Sequence, residues 1–283
     1  MQSLDVERWP SGGSSASRTP KLTAKKAFKR AVGKLAGAAG LYGKAMHSKM
    51  VILAFHRVND EIPEDGLTCS SGKFEHFCQF FGQHFKVVRL ADQIRAARTR
   101  EFLGGTVSIT FDDGYLDNFE VAAPILRRHG LPATFFVTTG FIGGAFVPYW
   151  DRDITARLGW MTWDQVRLLS EQGFDIGSHT DTHIDMASSA PDAVLSDLLK
   201  SRERLRVELG MQADLLAYPF GGYDQVSDRA FALVRQAGFA GSVSCYGGTN
   251  TYGANPYNLK RIGVSEWYKT PAELGFDLIL GRI

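Results

Sequence analysis

Two short stretches of this chain combine carboxylates, imidazoles and glycine directly after an apolar run. In Val107-Ser108-Ile109-Thr110-Phe111-Asp112-Asp113-Gly114-Tyr115 a strand-like run ends in adjacent carboxylates. Neighbouring strand residues point to opposite sides, so the pair needs separate tasks or a turn that brings both into one site, and Gly114 is expected to supply that turn. Asp-Asp-Gly is also the composition of an ordinary polar turn. In Gly177-Ser178-His179-Thr180-Asp181-Thr182-His183, imidazoles stand at i and i+4 after the strand-like Phe174-Asp175-Ile176. On one helical turn they would share a face and could bind one metal. A histidine pair on its own is more often surface or packed core than a ligand site.

Together the two stretches say more. Two histidines and one carboxylate make a three-ligand site that leaves positions for water and substrate, as a catalytic metal requires. The remaining carboxylate is then available as a base. The same donor set serves non-haem iron chemistry, but that chemistry has no need of a second adjacent carboxylate, which favours hydrolysis.

In this order, Thr110-Phe111-Asp112-Asp113-Gly114 and Ser178-His179-Thr180-Asp181-Thr182-His183 resemble the first two motifs of the polysaccharide deacetylases of the NodB-homology type, a carbohydrate esterase family. The resemblance spans residues 50 to 265. It implies a metal-dependent hydrolase that removes N-acetyl groups from N-acetylglucosamine-containing oligo- or polysaccharide, of chitooligosaccharide or exopolysaccharide type. It also implies Asp112 as general base and Asp113, His179 and His183 as ligands of a divalent metal, zinc by ligand type.

The family's third motif is matched by Ala217-Tyr218-Pro219-Phe220-Gly221, with Ala217 where an arginine is usual. The resemblance gives the backbone N–H of Phe220 the task of holding the oxyanion. Orientation of the base then falls to another arginine, and Arg261 in Leu259-Lys260-Arg261-Ile262-Gly263-Val264 is the candidate. The last motif, an apolar strand ending in histidine, is usually C-terminal. Here Val51-Ile52-Leu53-Ala54-Phe55-His56-Arg57-Val58 resembles it at the other end, as in circularly permuted members acting on poly-N-acetylglucosamine and related surface polysaccharides. By that resemblance His56 is the general acid; by itself it reads as a histidine closing a buried strand. His47, His76, His84 and His129 have no second ligand nearby in sequence and read as surface or packing residues.

The elements that must hold these residues alternate. Strand-like runs at Met50 to His56, Val87 to Leu90, Val107 to Asp112, Ala133 to Thr138, Phe174 to His179, Leu215 to Phe220 and Gly241 to Ser244 are separated by helix-like segments, which predicts an α/β fold with a parallel sheet. Thr162 with Gln165 forms a capping-box pattern, and Pro191 and Gly210 bracket a helix over Asp192 to Leu209. Both clusters fall where a strand gives way to a loop, as in a barrel. The expectation is a distorted (β/α)7-8 barrel of the NodB-homology type with a basic N-terminal helical extension. The loop from Gly140 to Gly159 carries Phe146, Tyr149 and Trp150, with Trp160 just after it. These aromatics either stack on sugar rings or staple the loop to the barrel.

Residues 1–20 have a tail-like Ser/Gly/Pro composition, residues 21–49 read as a basic amphipathic helical segment, and residues 50–283 as the deacetylase-like domain. The 21–49 segment has no acid and either lies on an anionic membrane surface or packs on the domain by its apolar stripe. In 283 residues, 44% hydrophobic and 12% aromatic content excludes global disorder, and a net charge of +2 gives no reason to expect nucleic acid. Cys69, Cys78 and Cys245 lack metal or redox spacing. No apolar run reaches the roughly 18 residues of a spanning helix and no export signal is evident, which favours a cytoplasmic location, peripheral to the inner membrane face if the basic helix binds lipid. Lipid-linked glycans are therefore a second substrate class. Ala217 and the basic helix together motivate an alternative: a weakly active or inactive member that binds glycan or a membrane surface.

Overall fold

The β-branched and aromatic runs become strands buried on both faces, the pattern of a parallel sheet covered by helices. The computed structural model describes residues 20–154, 158–265 and 267–281. In chain order its elements are α1 (Pro20–Ala38), α2 (Leu41–Met46), β1 (Met50–Phe55), β2 (Arg57–Val58), β3 (Thr68–Cys69), α3 (Ser71–His84), β4 (Lys86–Val87), α4 (Leu90–Thr99), β5 (Thr106–Phe111), α5 (Ala123–Arg128), β6 (Thr134–Val137), α6 (Trp163–Glu171), β7 (Asp175–Ser178), α7 (Pro191–Leu209), β8 (Leu215–Ala217), α8 (Asp228–Gln236), β9 (Gly241–Val243), β10 (Ile262–Gly263) and α9 (Pro271–Leu280).

The main sheet runs β10-β1-β5-β6-β7-β8-β9, every pairing parallel, with β4 beside the start of β5. A bridge from Val243 to Leu259 carries the chain from β9 back toward β10, so the sheet curls most of the way into a barrel. Phe55, Phe111 and Phe135 stack across β1, β5 and β6 at centroid separations of 5.6 and 4.9 Å and form the spine of the core. The registers decide what meets at the strand ends. Phe55 pairs with Phe111, which sets the next residues, His56 and Asp112, side by side.

Helix signals read well. Thr162 caps α6 through the reciprocal bonds of a capping box with Gln165, and α7 begins at Pro191 and ends before Gly210. Strand ends read less well: Leu90, expected to close a strand, already opens α4, and Phe220 lies beyond β8. The short β10, which carries Arg261 to the barrel, had no strand signal of its own.

Of the expected N-terminal tail, residues 1–19 lie outside the described residues. Helix α1 seats on α9 chiefly through charged and small residues. Lys29 pairs with Asp277 and Arg30 with Glu273, each at 2.6 Å, and Gly33 rests on the backbone of Ala272. Of the apolar residues in the 21–49 segment, Leu35 and Leu41 face outward, Phe28 is largely exposed while its ring meets Phe276 of α9 edge-on at 6.0 Å, and Tyr42 is buried. Among the described residues no helix is long and apolar enough to cross a membrane.

Candidate active site

Strand β5 delivers Asp112 and Asp113 to the barrel end, and both side chains are buried. The turn that makes them converge starts one residue earlier than expected: Asp113 itself is left-handed, with φ 74°, and Gly114 follows at φ 92°. A non-glycine residue in that region is strained, and the strain is concentrated here. Thr180, His183 and Phe220 also have positive φ, of 66°, 58° and 61°; Arg100 is the other non-glycine case among the described residues.

His179 follows β7 directly. It and His183 do not sit on a helical turn; residues 179–185 form a bent loop. The left-handed turns at Thr180 and His183 do what helical spacing was expected to do and bring the rings to 4.9 Å. Both Nε2 atoms then face Asp113 Oδ1, at 3.3 Å from His179 and 3.5 Å from His183.

The protons identify the kind of site this is. His179 Nδ1 lies 2.9 Å from the carbonyl oxygen of Ala217, which can only accept, so Nδ1 carries hydrogen and in the neutral ring Nε2 presents a lone pair. Asp113 Oδ1 is buried without a hydrogen-bond donor. With both rings neutral, such an arrangement of facing acceptors in a buried space suits a cation between them. Donors about 2.1 Å from a tetrahedral centre stand about 3.4 Å apart, which these separations match. Asp113, His179 and His183 are the set of donors, all within 4.8 Å of one another, that fits a metal among the described residues.

Asp112 belongs to a different environment. Arg261 donates from Nη1 to Oδ1 and from Nη2 to Oδ2, each at 2.6 Å, and is itself fixed by Ser244 O at 2.9 Å and Thr110 Oγ1 at 3.0 Å. Burial alone would push the Asp112 carboxyl up, but the guanidinium outweighs it and holds the group below the usual carboxylate range. His56 Nε2 stands 3.9 Å from Asp112 Oδ2. Burial lowers the His56 imidazole against the pull of both carboxylates. His183 is pushed down by burial to about 4. For His179 burial acts the same way, but Asp112 and Asp113 prevail and raise it.

The structure thus brings Asp112, Asp113, His56, His179, His183 and Arg261 together, and places Phe220 at the rim with its ring 4.7 Å from that of His183. A second set was not anticipated. Trp150 packs against His183 at 4.8 Å and meets the Phe220 ring edge-on at 6.4 Å. Its Nε1 donates to Tyr115 Oη at 3.0 Å, Tyr115 donates to Asp151 at 2.7 Å, and the buried Arg57 pairs with Asp151. Arg57 and Tyr115 directly follow His56 and the Asp-Asp-Gly turn, so their adjacency to the motifs was the available signal. In the aromatic loop the staple role is seen. Phe141 and Trp160 bury against Tyr115 as staples, Phe146 and Tyr149 remain exposed, and Trp150 forms a wall of the site. Residues 155–157 of that loop lie outside the described residues.

Comparison with known proteins agrees with this arrangement. Residues 99–241, which carry the Asp-Asp-Gly turn and both histidine ligands, match the family model for polysaccharide deacetylase. YxkH of Bacillus subtilis, whose name places it among polysaccharide deacetylases, is 28% identical over 159 residues, 56% of this chain and 51% of that protein. The chain therefore spans about half the length of that relative. Poly-β-1,6-N-acetyl-D-glucosamine N-deacetylase of Staphylococcus aureus is 25% identical over 199 residues, covering 70% of this chain and 68% of that enzyme. In fold, the Streptococcus pyogenes deacetylase PplD superposes with a TM-score of 0.68 at 23% identity, covering 80% of this chain and 96% of PplD. With the family model covering half of the chain and the motif residues converging at one barrel end, this chain belongs to the polysaccharide deacetylase family.

Proposed function

We propose that the chain is a metal-dependent hydrolase that removes N-acetyl groups from an N-acetylglucosamine polymer. The single observation that carries the reading is the division of labour between the two adjacent carboxylates: Asp113 faces the Nε2 atoms of two imidazoles, and Asp112 is clamped by Arg261 beside His56. The name of the staphylococcal relative supports a poly-β-1,6-N-acetylglucosamine type of substrate. Chitooligosaccharide and lipid-linked glycan are the competing substrate classes.

Asp113, His179 and His183 would hold the cation, zinc by the donor set. Bound there, it would polarise the acetamide carbonyl and acidify a water. Asp112, kept ionised and aligned by Arg261, takes the water's proton at its carboxylate. The Phe220 N–H donates to the carbonyl oxygen as it gains negative charge, a donor of a kind worth about 3 kcal/mol. The deprotonated water adds to the acetamide carbon, and as the C–N bond breaks the proton taken by Asp112 is passed through the neighbouring His56 to the departing amine nitrogen, leaving acetate and a free amine. Trp150 and Phe220, in edge-to-face contact beside His183, shape an apolar wall for the sugar ring and its acetyl methyl.

The test is acetate release by zinc-loaded protein from β-1,6- and β-1,4-linked N-acetylglucosamine oligomers, with Asp112→Asn alongside. Release from the β-1,6 series that disappears in the variant is the expected result. Release from the β-1,4 series alone would reassign the substrate. Glycan binding without release, unchanged in Asp112→Asn, would make the chain a binding member of the fold.

A further inference from the structure

Helix α1 has its two faces the opposite way round from most surface helices. Amphipathic helices bury their apolar side. Here the side against α9 is built from Lys29, Arg30, Gly33 and Ala36, with Lys29 and Arg30 neutralised by the buried Asp277 and Glu273. The side facing out is apolar. Ala24, Phe28, Ala31, Leu35 and Ala38 follow one another at helical spacing on a single exposed stripe, with Leu35 70% exposed and Phe28 62% exposed although its ring meets that of Phe276 edge-on at 6.0 Å. Lys25 flanks the stripe on one side and Lys34 on the other, both exposed and without an ion pair among the described residues. Exposed Leu41 and Lys44 follow on α2.

This geometry points to α1 as a docking surface for an anionic lipid bilayer. The choice of occupant follows from charge and shape. A second copy of the chain would set Lys25 and Lys34 against their own counterparts, and residues 21–49 hold no acid to answer them. A neutral glycan could stack on the phenylalanine but would leave the lysines without a partner. A bilayer with anionic headgroups takes both, the aromatic and leucine side chains at the acyl boundary and the flanking lysines at the phosphates. The ion pairs to α9 matter for the same reason: they use the two inward cations and fix the helix so that the stripe is presented outward. The stripe is short, so binding depends on the lysines, each contributing about fivefold near an anionic surface.

Co-sedimentation of the full chain with vesicles tests this, using phosphatidylglycerol mixed with phosphatidylcholine against phosphatidylcholine alone. The expected result is pelleting with the anionic vesicles only, abolished at high salt, and retained in Asp112→Asn, which separates this surface from the proposed catalysis. Lys25→Gln with Lys34→Gln should weaken binding about twenty-five-fold. Phe28→Ser with Leu35→Ser should weaken it at least as much, with an unchanged thermal midpoint showing that the fold is intact. Pelleting with neither vesicle type, equal pelleting with both, or affinity unchanged in the double variants would overturn the inference. So would sedimentation of a dimer that Phe28→Ser with Leu35→Ser dissociates, because the stripe would then belong to a second copy.

Discussion

Arg261 holds both oxygens of Asp112 at 2.6 Å across 149 residues of sequence, and both side chains are buried. The register of β1 against both β5 and β10 creates this pair: it brings the segment bearing Arg261 into the barrel beside the one bearing Asp112. We propose that Arg261, just before β10, takes the place of the arginine that the third motif lacks at Ala217. Ala217 keeps a different task, since its carbonyl orients His179.

The two residues should be energetically coupled. Arg261→Met leaves a buried carboxylate alone, which costs about 3–5 kcal/mol. Asp112→Asn in that background removes the stranded charge, so the double variant should regain part of the loss. A double-mutant cycle by urea denaturation reads the coupling, and strictly additive losses would mean that the ion pair contributes little. Arg261→Lys keeps the charge but not the planar two-pronged contact, and should lower kcat with little effect on KM.

Metal binding should divide the two aspartates. Zinc at a hundredfold excess over its Kd stabilises by about 2.7 kcal/mol. Thermal unfolding of wild type and Asp112→Asn should show that gain and lose it with a chelator, whereas Asp113→Asn should show neither. Equal shifts in both variants would place the cation elsewhere.

Much of this site was legible because its parts are contiguous: Asp112 with Asp113, and His179 with His183, each lie within one short stretch. How they converge was not. The i, i+4 histidine spacing suits a helical turn, yet the chain uses left-handed residues at Thr180 and His183, a choice made by surrounding packing and invisible to local propensity. Arg261 could be nominated from sequence, but its reach to Asp112 depends on strand register. The Trp150, Tyr115, Asp151 and Arg57 chain depends on how the long loop folds back. The outward stripe of α1 was hidden for a related reason: a wheel shows that a helix has two faces, and only the buried carboxylates of α9 decide which one turns inward.

Trp150 should matter to substrate handling more than to stability. Its ring lies against His183 and its indole N–H is anchored on Tyr115. Trp150→Ala removes the wall and should lower kcat/KM about tenfold, the equivalent of one aromatic contact. Tyr115→Phe leaves the wall but frees its anchor, so its smaller loss should appear mainly in KM. If both variants matched wild type on oligomers of every length, Trp150 would be only a staple of the loop.

Asp117 gives a pH dependence of stability. Its carboxylate accepts from the Val58 N–H, Asn59 and Asn118 at 3.3, 3.3 and 2.9 Å, but burial prevails and pushes it up from 3.8 to about 6. The folded state therefore binds this proton more tightly than the unfolded chain. Its contribution is fully present below about 4 and is lost as pH rises through about 6, roughly 3 kcal/mol in all. Asp117→Asn, which mimics the protonated form, should gain on wild type across that window in urea midpoints. A difference independent of pH would mean that Asp117 stays ionised.

Gly33 sets two effects of opposite sign against each other. Alanine inside a helix is favoured over glycine by about 1 kcal/mol. A Cβ at Gly33, however, would lie 2.1 Å from the carbonyl oxygen of Ala272, a backbone atom in the first turn of α9 that cannot move aside cheaply. Overpacking of this kind costs about 1–3 kcal/mol, so Gly33→Ala should destabilise slightly and Gly33→Leu severely. The same displacement would strain the Lys29–Asp277 and Arg30–Glu273 pairs, leaving two buried carboxylates short of their partners. Denaturation of the three proteins decides it. A gain of about 1 kcal/mol for the alanine variant would show propensity acting unopposed, and hence that α1 is not seated on α9 in solution.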